Sequence, residues 1–79
     1  MLIDSDGRVT RWPRKEAERQ LVLHYLRDRF EVGRTYTERE VNEILNLHHT
    51  FSDWALLRRE LFEAGVMGRD PKTHTYWRS

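Results

Sequence analysis

The chain has 79 residues, with 14 Lys and Arg against 13 Asp and Glu for a formal net charge of +1, and no cysteine. The missing thiols exclude disulfides, cysteine nucleophiles and Cys-ligated zinc, while the balanced charge leaves nucleic-acid binding open only to clustered cations. A chain this short buries roughly 60% of its extended surface, so its three Trp, three Tyr and three Phe are needed for one core.

Leu2 to Thr10 is expected to form a small hairpin, because Asp6-Gly7 suits a type I′ turn with positive φ at both central residues. The same stretch faintly resembles a calcium loop, but Arg8 stands at the next acidic position and no Glu closes it. Trp12-Pro13 is expected to start the first helix, with Pro13 at N1, where a missing N–H is harmless. Val22, Leu23, Leu26 and Phe30 fall on one side of it, with Leu21 and Tyr25 widening the apolar face and His24 opposite. Val32-Gly33 ends that helix, and Arg34-Thr35-Tyr36 is short enough for an isolated bridging strand.

The second helix is expected from Glu38 to about Leu47. Thr37 and Glu40 have capping-box spacing, and Tyr36 and Val41 stand where a hydrophobic staple forms. Val41, Ile44, Leu45 and His48 make its inward face. A third helix begins between Thr50 and Asp53, all of which except Phe51 are competent caps, and ends at Gly65. Trp54, Leu57, Leu61 and Ala64 form its expected inward stripe. The last segment folds back around Asp70-Pro71-Lys72-Thr73, which sets Arg69 opposite His74 and Met67 opposite Tyr76. On that register Met67, Arg69, His74 and Tyr76 share one face, and Val66, Thr75 and Trp77 share the other, against the helices.

Helix, turn, helix, hairpin is the order of a winged helix-turn-helix. The expected fold is therefore a small α+β winged helix, with three helices, a C-terminal β-hairpin wing and a short N-terminal hairpin. We read residues 1–79 as one domain, with 1–11 as the N-terminal hairpin or arm, 12–65 as the helical core and 66–79 as the wing.

Stepping about 100° per residue from the inward stripe leaves Ala55, Arg59 and Glu63 facing out of the third helix, with Arg58 to one side. In a winged helix that face enters the major groove, where Arg binds guanine O6 and N7 and a small Ala55 lets the backbone approach. Arg69, Lys72 and His74 gather at the expected wing tip, where cations touch phosphates. The plainer reading makes all of these solvated charges, with Glu63 as the partner of Arg59. His48, His49, Asp53 and His74 do not make a metal site: adjacent helical histidines diverge, and no H-x-x-x-H spacing occurs. Ser5, Ser52 and Ser79 lack a nucleophile-elbow context and no glycine-rich loop is present, so neither an enzyme nor a cofactor is expected. The longest apolar runs are a few residues, and no signal-peptide core is seen, so no membrane partner and a cytoplasmic location are expected.

Arg11-Trp12-Pro13, Arg34-Thr35-Tyr36-Thr37-Glu38, Glu40-Val41-Asn42, Ile44-Leu45, His49-Thr50-Phe51 and Asp53 resemble a bacterial family, domain of unknown function 2087. The likeness continues through Ala55, Leu57-Arg58-Arg59-Glu60-Leu61, Gly65, Arg69 and Tyr76-Trp77-Arg78, nearly the whole chain. The resemblance implies a winged-helix-like fold and, because such domains also occur fused to ArsR-type regulators, a role in transcription. The family has no established functional residues to transfer. It draws attention to Asn42, as a helix–helix or backbone hydrogen bond, and to Asp53, as a cap or an orienter of Arg58 or Arg59. The expected partner is double-stranded DNA. The competing expectation is a protein-interaction module, working as a homodimer or with another protein, whose surface patch is Leu56, Phe62 and Met67. RNA binding through exposed aromatics requires Trp12, Tyr76 or Trp77 outside the core, and Trp77 at least is expected inside.

Overall fold

A computed structural model describes residues 2–79. Its elements are α1 (Glu16–Arg27), β1 (Thr35–Thr37), α2 (Glu38–Leu47), α3 (Trp54–Glu63), β2 (Met67–Asp70) and β3 (Thr75–Arg78). The strands form one antiparallel sheet in the order β1-β3-β2, with the C-terminal hairpin supplying two of them. Three helices and this sheet make a small α+β fold compatible with a winged helix. Val22, Leu23, Leu26, Val41, Leu45, Leu57 and Leu61 meet Tyr36, Met67 and Tyr76 from the sheet in one core.

The entrance to α2 forms as its sequence dictates. The Glu40 N–H donates to the Thr37 hydroxyl at 3.1 Å, and the Thr37 N–H donates to the Glu40 carboxylate at 2.9 Å. Helix α3 starts on Asp53, whose carboxylate accepts from the Leu56 N–H at 3.3 Å, and Gly65 follows its end at φ 75°. β1 is not isolated as expected, because Thr35, Tyr36 and Thr37 pair with Trp77, Tyr76 and Thr75.

Several local expectations are corrected. Helix α1 starts after Lys15, not at Pro13, because Pro13 is buried in the core and its carbonyl accepts from Arg19 Nε at 2.7 Å. It ends at Arg27, earlier than Val32-Gly33. Bonds from Arg29 and Phe30 back to Leu26 and Arg27 turn the chain, and Phe30 meets the Tyr36 ring edge-to-face at 5.1 Å. Leu21 is exposed and adds nothing to the apolar face. In α3 only Leu57 and Leu61 are buried; Trp54 and Ala64 lie at the surface. At the N-terminus Ile3 bridges Val9, but Gly7 alone among its turn residues has positive φ, so the turn is not type I′. The Gly7 N–H closes it onto the Asp4 carbonyl.

The hairpin departs most. Asp70 pairs with Thr75 and Arg69 with Tyr76, so the loop is Pro71 to His74 and the register lies two residues from the expected one. The Asp70 carboxylate accepts from the Lys72 N–H at 2.9 Å, and His74 takes a left-handed φ of 56°. A two-residue shift keeps the partition of side chains between faces. What changes is which face turns inward: Met67 and Tyr76 are buried, whereas Trp77 is 38% exposed. The pairing of Tyr76 with the buried Tyr36 decides this, and the Trp77 indole lies instead over Gly68, where a side chain would overlap it.

A candidate nucleic-acid interface

His49 ties the turn between α2 and α3 to the third helix. Its ring is 5% exposed, its Nε2 accepts from the Asp53 N–H at 2.9 Å, and its Nδ1 lies 2.6 Å from the Leu45 carbonyl. A backbone N–H can only donate, so Nε2 carries the lone pair and Nδ1–H donates to Leu45. The N-terminal arm reinforces the same turn: the Val9 N–H donates to His48, and the Thr50 N–H donates to Val9. The end of α3 that a helix-turn-helix presents is therefore fixed on two sides.

With Leu57 and Leu61 facing in, Ala55, Arg59, Phe62 and Glu63 are exposed on α3. Arg58 is not part of that free face. Its Nη1 donates to Asn42 Oδ1 at 2.8 Å and lies 3.0 Å from Glu38 Oε1, and its guanidinium lies 5.3 Å from the centre of the Trp54 ring. Glu38 and Asn42 are one helical turn apart on α2, so the two side chains grip one guanidinium from one face. Asp53, expected as a cap or an orienter of Arg58 or Arg59, is the cap, while Asn42 is the helix–helix hydrogen bond.

Between α3 and the sheet lies a groove of about 320 Å³, lined by Glu38, Ala55, Arg58, Arg59, Phe62, Arg69 and Tyr76. Ala55, Arg58, Arg59 and Arg69 of the sequence-derived set thus come together. Arg69 reaches it from β2, with its guanidinium 5.8 Å from the Tyr76 ring centre and its Nε buried without a hydrogen-bond partner among the described residues. Arg59 makes no ion pair among the described residues, with Glu63 or any other acid. Lys72 and His74 are exposed on the hairpin loop and do not line the groove.

The sequence reading missed Glu38, Phe62 and Tyr76 as groove residues. The spacing of Glu38 from Asn42 carried a signal for the first; Tyr76 was hidden by the choice of the inward sheet face. The patch expected from Leu56, Phe62 and Met67 does not exist, since Met67 is 2% exposed and Leu56 is half-buried. Trp77, expected inside, stands outside.

No group of three or more His, Cys, Asp or Glu side chains suited to a metal occurs among the described residues. No helix among them is long and apolar enough to cross a membrane. Comparison with curated proteins and with solved structures gave no match. A family profile described as an uncharacterized protein conserved in bacteria matches residues 8–78, so the chain belongs to the family of domain of unknown function 2087.

Proposed function

We propose that this domain binds double-stranded DNA, with α3 in the major groove and the β2–β3 hairpin on the phosphate backbone, in a bacterial regulatory role. The observation that supports this reading is the meeting of Arg59 and Arg69 in one groove beside the exposed face of α3, neither offset by an acidic partner among the described residues. Arg59 and Ala55 present the edge of the helix suited to base contact. Lys72 and His74 on the loop serve phosphates. No catalytic role is assigned to the groove.

Fluorescence anisotropy with a mixed-sequence duplex at about 50 and 200 mM salt tests it, since phosphate contacts make affinity fall steeply with salt. Arg59→Ala is expected to weaken binding at least tenfold, an effect of about 1.4 kcal/mol, while Arg39→Ala, exposed on α2 and paired with Glu43 outside the groove lining, leaves it unchanged. No binding at the lower salt removes the DNA reading.

Phe62, 45% exposed within the groove, favours a second reading in which the groove seats a partner protein or a second copy of the chain. Binding of that kind keeps its affinity as salt rises.

A further inference from the structure

The Lys and Arg side chains differ in what they touch. Arg8, Arg27, Arg34, Arg39, Arg58 and Arg78 each sit within ion-pair distance of a carboxylate. Arg11, Arg14 and Lys15 are exposed, and their side chains make no ion pair among the described residues. Three unpaired cations thus fall within five residues, all in the arm that leads into α1.

That arm is held rigidly. The bonds of Val9 to His48 and Thr50 pin one end to the turn before α3, and the Thr50 hydroxyl adds a bond to the Thr10 carbonyl at 3.4 Å. At the other end Pro13 is buried, and Arg19 grips the Pro13 carbonyl while lying 5.4 Å from the centre of the Trp12 ring. The backbone that carries the three cations is therefore anchored beside the helix-turn-helix and is not a floating tail.

We infer that Arg11, Arg14 and Lys15 form a second phosphate-contacting surface, which holds the duplex backbone flanking the site of α3. The inference rests on the DNA-binding reading above. In helix-turn-helix docking the second helix enters the major groove while the first crosses the backbone, so the turn between them lies at the DNA surface. A segment bonded to that turn lies beside the flanking phosphates. Glu60 and Glu63 line the groove between α1 and α3, with Glu16 and Trp12, and Glu18 adds to the acidic first turn of α1. These acids keep DNA off the inner side of the arm, so contact is confined to its outer cations and carries no sequence information. A lipid surface fits less well: Trp12, the apolar residue that would anchor it, is half-buried against the core under Arg19.

The test combines Arg11→Gln, Arg14→Gln and Lys15→Gln, all at exposed positions, with circular dichroism to verify the fold. The slope of log K against log salt for a mixed-sequence duplex is expected to become shallower by about 2.7, roughly 0.9 for each phosphate contact removed. The affinity lost between about 50 and 200 mM salt then shrinks roughly 40-fold relative to the parent. An unchanged slope, with Arg59→Ala still weakening the parent, overturns the arm and leaves the α3 reading standing. A parent domain that binds no duplex overturns both. Binding to phosphatidylserine vesicles that the triple variant abolishes, with its DNA slope unchanged, overturns the inference in favour of lipid headgroups.

Discussion

Arg58 and Arg59 are neighbours of one chemical type with opposite roles. Arg58 is held by Asn42 and Glu38 and joins α2 to α3, with its side chain 23% exposed. Arg58→Ala is expected to lower stability by about 1–2 kcal/mol, because it removes charge-assisted hydrogen bonds and leaves Asn42 and Glu38 unpaired. Arg59→Ala is expected to stay within about 0.5 kcal/mol of the parent, as surface substitutions without contacts do. Urea midpoints of the two variants measure this, independently of any DNA assay. The roughly 100° between consecutive helical residues was legible in the sequence, and so was the outward position of Arg59. The fate of Arg58 was not, because it depends on how α2 crosses α3, which periodicity does not specify.

At the level of single elements, α2 was legible because its start is set locally. Thr37 and Glu40 satisfy each other's backbone, and the Thr37 N–H, aided by its hydroxyl and by Arg34, holds the Glu40 carboxyl below its ordinary value. A lowered carboxyl stabilises the fold above the unfolded-state value of about 4.3 and loses that contribution as pH falls through the folded value. Helicity of Glu40→Gln is therefore expected to depend less on acid below about pH 4 than that of the parent, as read by circular dichroism. Helix α1 was less legible, since its start and end follow from the burial of Pro13 and the meeting of Phe30 with Tyr36, contacts made far along the chain. The hairpin shows the same limit. Tyr76 and Trp77 are adjacent aromatics, either of which can face inward, and the choice falls to a strand from the other half of the molecule. Gly68 records the outcome, for its missing side chain admits the indole. Gly68→Ala is expected to displace Trp77, with a loss of about 1–3 kcal/mol and a fluorescence shift to longer wavelength.

On the scale of the whole molecule, a net charge of +1 conceals an uneven distribution. Six of the 13 acids pair with cations, while around α3 Arg59, Arg69 and the arm's Arg11, Arg14 and Lys15 carry no ion pair among the described residues. The salt sensitivity expected of duplex binding belongs to this pattern and not to the total, since nearby phosphates respond to local charge within a Debye length of about 10 Å. The order of helices and hairpin, and the outward set Ala55 and Arg59, were readable from the sequence. The groove that joins them to Arg69 required the sheet, which brings residues from distant parts of the chain together. That sheet has a further consequence for how the chain is made. Its central strand, β3, is the last to be synthesised, and β1 and β2 touch only through it. A ribosome that has passed β2 has produced two strands with no partner at all. The helices can settle as they emerge, but β1 keeps an open edge until Thr75 to Trp77 arrive, and the arginine groove closes with that final step.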